Sequence, residues 1–284
     1  MKHAFILSVH TNFDQIKYLV KSLSFGDVFI HVDKKSESLY EQLNTYYKNS
    51  DHVILLNDRI NVNWSGFSQV EATIKLLTAV KDCKRKYDYI HFISGQDLLL
   101  MNEKELETFI RDNGFKEFIE VENIGNYWWR LKCFSFFREN PKNRTLFYRG
   151  LDILLRFIQL PFVRRNNLKK YTLYKGSQWF SITDDCLNYI LDTVFHTDYV
   201  ENFKYCACPD EHFFQIILMN SEFKDRVSRY NGRYIQFDGV NTSPKVLTGN
   251  DYEHFMNGQY MFARKFDMKV DEKVILRVLN HLEE

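Results

Sequence analysis

His3-Ala4-Phe5-Ile6-Leu7-Ser8-Val9, followed at once by His10, is the apolar run whose reading decides the fold. A secretory leader needs a longer apolar core, and here charged and turn-forming residues follow quickly, so the run reads as a first β-strand. Comparable runs return at 27–32, 52–56, 88–94 and 117–121. Between them, amphipathic stretches near 12–24, 36–48, 67–84 and 103–112 carry helical periodicity. Strands alternating with helices predict an α/β fold, a mostly parallel central sheet flanked by helices on both faces, with ligands at the carboxyl ends of the strands. Those ends carry Ser8 and His10, then His31-Val32-Asp33-Lys34-Lys35, then Ser94-Gly95-Gln96-Asp97.

Beyond residue 122 the pattern is less regular. An aromatic loop at Tyr127-Trp128-Trp129-Arg130 precedes a basic, apolar and aromatic stretch over 144–170 that includes Arg164 and Arg165. A strand is expected at 178–183, another near 233–237, and a last helix over 271–282. Cys208-Pro209-Asp210-Glu211-His212-Phe213-Phe214 reads as a helix start, because proline at the first helical position forfeits no hydrogen bond. Its carboxylates either complement the helix dipole or do chemistry. His212 would point about 100° away from Glu211 around such a helix and is expected to be structural. No linker rich in Pro, Gly and Ser divides the chain. Residues 1–284 are therefore expected to form one domain with two functional halves, 1–122 and 123–284.

Composition narrows the function classes. Hydrophobic residues make up 45% and aromatics 16%, with 25 Phe and 17 Tyr, ample for a large core. A net charge of +1, from 38 basic and 37 acidic residues, argues against nucleic acid as a partner. The five cysteines are odd in number and lack paired C-x-x-C spacing, which fits free thiols in a reducing cytosol. No apolar segment approaches the roughly 20 residues that span a bilayer, so a soluble or peripheral protein is expected. The 144–170 stretch would suit an anionic membrane surface or a core helix with a basic outer face.

Several chemistries lack their motifs. There is no G-x-x-x-x-G-K-[ST] loop and no G-x-G-x-x-G after the first strand. Asn63-Trp64-Ser65-Gly66-Phe67-Ser68 does not supply a G-x-S-x-G elbow. His31, Asp33 and Asp97 could form a metal site or a polar strand end that meets an organic ligand; no D-x-D pair stands after the fourth strand.

Six segments, taken in order, resemble the core-2/I-branching β-1,6-N-acetylglucosaminyltransferases and the related peptide O-xylosyltransferases, with the nearest likeness to short, unanchored bacterial members. They are Ile30-His31-Val32-Asp33-Lys34-Lys35-Ser36, Val62-Asn63-Trp64-Ser65-Gly66-Phe67-Ser68-Gln69-Val70 and Phe92-Ile93-Ser94-Gly95-Gln96-Asp97-Leu98. They continue with Gly176-Ser177-Gln178-Trp179-Phe180, Pro209-Asp210-Glu211-His212-Phe213-Phe214 and Met261-Phe262-Ala263-Arg264-Lys265-Phe266-Asp267.

The resemblance implies a GT-A type fold and an inverting, metal-independent transfer from a UDP-sugar, without a cofactor. N-acetylglucosamine or xylose would pass to a glycan or lipid-linked glycan acceptor in bacterial surface polysaccharide synthesis, in the cytoplasm or peripherally on the inner face of the membrane. Residues 1–122 would bind the nucleotide-sugar and 123–284 the acceptor. Glu211 matches the family's catalytic carboxylate, and Lys265 its diphosphate-binding lysine. Lys245 or Arg264 would supply a second cation. Ser8, His10, Asp33 and Asp97 would line the donor crevice, and Trp179 would stack on acceptor sugar. The alternatives are a catalytically inactive sugar- or nucleotide-binding protein on the same scaffold, and a metal-dependent nucleotide-sugar hydrolase.

Overall fold

The computed structural model describes residues 1–162, 168–239 and 243–283. The first half follows the expected alternation: β1 (His3–Val9), α1 (Phe13–Ser22), β2 (Asp27–Val32), α2 (Glu37–Tyr46), β3 (Val53–Leu55), α3 (Ser68–Asp82) and β4 (Tyr89–Ser94). A short β5 (Asp97–Leu99), α4 (Glu103–Asp112), β6 (Glu117–Glu120) and β7 (Glu122–Asn123) complete it. Asn102 and Glu105 form a reciprocal capping box that starts α4 where the sequence expects it.

The second half holds α5 (Trp129–Lys132), α6 (Leu146–Gln159), β8 (Tyr174–Lys175), β9 (Phe180–Thr183), α7 (Asp184–His196) and α8 (Phe213–Met219). It ends with β10 (Val227–Arg229), β11 (Arg233–Ile235), α9 (Tyr252–Met256), β12 (Phe262–Arg264) and α10 (Met268–Glu283). Arg164 and Arg165 lie outside the described residues.

The main sheet runs β10-β6-β9-β4-β1-β2-β3. β1, β2, β3 and β4 pair in parallel, and β9 inserts antiparallel between β4 and β6. Successive side chains of a strand alternate between faces. Ala4 and Ile6 accordingly pack with α3 and α7 residues such as Leu76 and Leu187, while Phe5, Leu7 and Val9 pack with Ile16 and Leu19 of α1 and Leu43 of α2. A strand buried on both faces needs an unbroken apolar run, which is why His3–Val9 reads as it does.

A second sheet, β11-β12-β5, sits beside the first and is covered by α9 and α10. Buried Arg233 ties the two sheets together. Its Nη2 donates to Phe92 O at 3.1 Å and Phe180 O at 2.6 Å, and burial lowers the guanidinium to about 9. No disulfide joins any of the five cysteines.

Candidate active site

The parallel register brings the first strand ends into one row: Ser8 faces His31 on β2 and Ser94 on β4. His31 is buried, accepts from Ile60 N at 2.9 Å through Nε2, and is held at about 4 by burial. Asp33 accepts from Lys35 N at 3.0 Å and Val62 N at 3.4 Å, with Lys35 Nζ 3.5 Å away. His10 is exposed. Desolvation holds its imidazole below the ordinary value; Asp33 pulls the other way, and Lys265 and Lys35 add to the lowering. Ser8, His10, Asp33 and Lys265 thus gather at one edge of the sheet. Among the described residues no group of three His, Cys, Asp or Glu converges in a way that could hold a metal.

Asp97, expected at the donor crevice, is buried, and its carboxylate accepts from Ser94 N at 3.0 Å and Ser94 Oγ at 2.7 Å, closing the turn between β4 and β5. β5 pairs antiparallel with β12, which sets Arg264 opposite Asp97 with Nε 3.6 Å from the carboxylate. Arg264 is itself largely buried, its guanidinium 4.2 Å from the centre of the Trp179 ring. Trp179 is 8% exposed and also packs on Phe92 at 4.8 Å. Arg264 and Phe92 thus pack against the ring that was expected to stack on acceptor sugar.

Lys265 follows Arg264 at the end of β12 and makes no ion pair with a described residue. Its carbonyl accepts from Leu247 N at 2.8 Å, so the Lys245 segment runs beside it. Lys245 is engaged: its Nζ lies 2.6 Å from Asp251 Oδ1. Of the three expected cations, Lys265 alone has no carboxylate partner among the described residues.

The segment around Glu211 departs from the expected helix. Pro209–Glu211 is one 3-10 turn, the chain breaks at His212 (φ −134°), and α8 begins only at Phe213. The break has a local cause, since buried His212 turns Nδ1 toward Tyr174 O at 2.8 Å while Phe213 enters the core. His212 is structural, as expected, and burial holds its imidazole at about 4. Cys208 enters the turn with φ 50° and donates its N–H to Ser65 O at 3.0 Å. Gly176 N donates to Glu211 O at 2.9 Å. Only glycine fits there, because a Cβ would stand 1.9 Å from Glu120 O.

Glu211 is held from one side. Arg130 Nη1 donates to Oε2, while Oε1 takes no hydrogen bond from a described residue; the side chain is 42% exposed. Asp210 behaves differently. It is buried, accepts from Gln69 Nε2 at 3.2 Å through Oδ2, and leaves Oδ1 without a partner among the described residues. Burial, and then the charge of Glu211, push its carboxyl well above the usual carboxylate range. Gln69 Nε2 also donates to Gln178 Oε1 at 3.1 Å.

A continuous line of contacts therefore runs from Arg264 through Trp179, Gln178 and Gln69 to the Asp210-Glu211 turn. Arg130 and Gln69 were not among the expected site residues. Both lie in stretches singled out by their sequence, Tyr127-Trp128-Trp129-Arg130 and Val62 to Val70, yet nothing in either marks a partner 81 residues away for one and 141 for the other.

The chain also resembles known proteins. The family model described as Core-2/I-Branching enzyme matches residues 3–256. Xylosyltransferase 1 of Rattus norvegicus is 22% identical over 309 residues, covering 98% of this chain and 35% of that protein. Xylosyltransferase 2 of Homo sapiens is 24% identical over 297 residues, covering 96% and 32%. The chain thus spans about a third of the length of these relatives. The apo crystal structure of mouse xyloside xylosyltransferase 1 aligns over 93% of this chain and 97% of that one, with 11% identity and a TM-score of 0.43. With a family model matched over nearly its whole length, the chain belongs to the Core-2/I-Branching enzyme family.

Proposed function

We propose that the chain is an inverting, metal-independent glycosyltransferase that moves a sugar from a UDP donor to an acceptor hydroxyl, forming a β-linkage. The observation that carries the reading is the half-held carboxylate: Glu211 has Oε2 on Arg130 and Oε1 open to an incoming hydroxyl. In the proposed reaction the acceptor oxygen attacks the anomeric carbon from the face opposite the diphosphate. Its proton passes to Glu211 Oε1 as the new C–O bond forms and the bond to the diphosphate breaks. The charge released on the leaving group meets Lys265, with Lys245 on the neighbouring segment as second cation, in the role a divalent ion would otherwise fill. Ser8, His10 and Asp33 would meet the nucleoside at the strand ends.

N-acetylglucosamine or xylose is the proposed sugar, and a glycan or lipid-linked glycan of bacterial surface polysaccharide the proposed acceptor, reached from the cytoplasmic side. A panel of UDP-sugars followed by calorimetry and by donor hydrolysis, with and without EDTA, tests donor and metal together. UDP-N-acetylglucosamine or UDP-xylose should bind and turn over equally in both conditions. Loss of turnover in EDTA would contradict metal independence, and failure of every UDP-sugar to bind would contradict the reading itself.

A further inference from the structure

Helix α6 is built inside out. Its polar side chains hold it to the protein: Asp152 pairs with Arg138, and Gln159 donates to Phe134 O at 2.9 Å while accepting from Phe134 N at 2.7 Å. Arg156 lies 4.3 Å over the Trp129 ring. The opposite face, which on a water-facing helix would be polar, carries Phe147, Ile153, Leu154, Phe157 and Ile158, all exposed, with Phe147 at 72% and Phe157 at 62%. Phe162 extends the stripe past the end of the helix. A contiguous apolar face of this kind marks a surface that meets something other than water.

The charges around it select the occupant. Lys142, Arg144 and Arg149 are exposed at the leading end, whereas the one carboxylate between 141 and 162, Asp152, is turned inward and paired. A second copy of the chain docking this face on itself would set cation against cation. An anionic lipid leaflet complements both the apolar stripe and its basic rim. No described helix is long and apolar enough to cross a membrane, so the contact lies in the interface plane.

We infer that α6 seats the protein on an anionic membrane surface, with the exposed apolar residues entering the headgroup boundary. The same helix is wired to the site. Arg138 donates to Ser65 Oγ at 3.0 Å, Ser65 O accepts from Cys208 N, and Trp129, under Arg156, precedes Arg130. In a step that rests on the transferase reading, the bilayer therefore lies on the side from which a lipid-borne acceptor would reach Glu211.

Flotation without any donor tests the contact separately from catalysis, using vesicles of phosphatidylcholine alone and vesicles enriched in phosphatidylglycerol. The protein should float with the phosphatidylglycerol vesicles and be released by salt. A variant combining Phe147→Asp, Leu154→Asp and Phe157→Asp, and a second combining Arg144→Glu and Arg149→Glu, should each bind at least about tenfold less while keeping the native circular dichroism. These side chains are exposed, so the fold does not depend on them. Absence of flotation of the parent protein, flotation of either variant equal to the parent's, or a self-association lost in the aspartate variant without lipid binding would overturn the inference. Transfer to a soluble acceptor, measured in parallel, would survive that outcome and would fail only if the transferase reading is wrong.

Discussion

Arg130 and Glu211, 81 residues apart in sequence, form an ion pair in which the guanidinium holds Oε2 and also lies 4.5 Å over the Tyr127 ring. The pair gives the carboxylate one orientation. Replacing Arg130 by alanine should lower kcat roughly ten- to hundredfold while leaving UDP affinity nearly unchanged, because orientation is lost and donor contacts are not. Steady-state kinetics with parallel calorimetry checks the split. An unchanged kcat, or an equal loss of UDP affinity, would contradict the positioning role.

Lys265 sits at the end of β12 with no carboxylate partner among the described residues, beside the cluster of His10 and Asp33. Lys265→Ala should weaken UDP binding by about 1.5–3 kcal/mol, the scale of a charge-assisted hydrogen bond, and uridine binding by much less. Calorimetric titration with both ligands decides it. Equal losses for UDP and uridine would move the contact away from the diphosphate.

Asp210 is a buried acid whose titration is raised by burial and by Glu211. Between the ordinary carboxylate range and its raised native value, the unfolded chain binds fewer protons than the folded one. Its contribution therefore makes stability fall as pH rises through that window. Asp210→Asn keeps an oxygen for Gln69 and removes the ionisation. It should stabilise the fold by about 1–3 kcal/mol in mildly alkaline buffer and flatten the alkaline loss. Denaturant titrations across pH measure both, and a variant less stable than the parent at alkaline pH would contradict it.

Four buried histidines set the acid limit. His3, His31 and His212 are lowered from 6.5 to about 4 by burial, and His91 lies well below its ordinary value. His3 Nδ1 and His91 Nε2 share one hydrogen bond at 3.0 Å, and His91 Nδ1 meets Ser181 Oγ at 2.8 Å. Below 6.5 the unfolded chain takes up protons that the native state refuses, so stability falls on acidification down to the native values. Each histidine contributes about 1.4 kcal/mol per pH unit in that window. Unfolding free energies that stay level between neutral and mildly acidic pH would refute this.

The parallel half of the sheet was legible because each strand is buried on both faces and each helix on one, so local pattern and global position agree. β9 was legible as a strand, but its antiparallel place between β4 and β6 depends on partners far away in sequence. β5, three residues long and directly after the Gly95-Gln96 turn, has no periodicity to read. Glu211 stands in a motif that can be read along the chain, whereas Arg130 reaches it, and Gln69 reaches Asp210, only across tertiary contacts. Trp179 shows the same limit from the other side: an aromatic residue next to a motif reads as core or as cleft alike, and the Arg264 guanidinium over its ring comes from a strand 85 residues on. For Asp97, a turn-closing carboxylate and a ligand-binding one look identical in sequence, and the bonds to Ser94 N and Oγ appear only in the fold.

Glu211→Gln is the most direct test of the account. The amide keeps the shape of the side chain and cannot take the acceptor's proton. Side-by-side measurement of UDP binding and of sugar transfer should show affinity retained within a few-fold and transfer reduced by about 10²–10⁴, the range of a lost general base. Transfer at the parent rate in that variant would contradict the central claim.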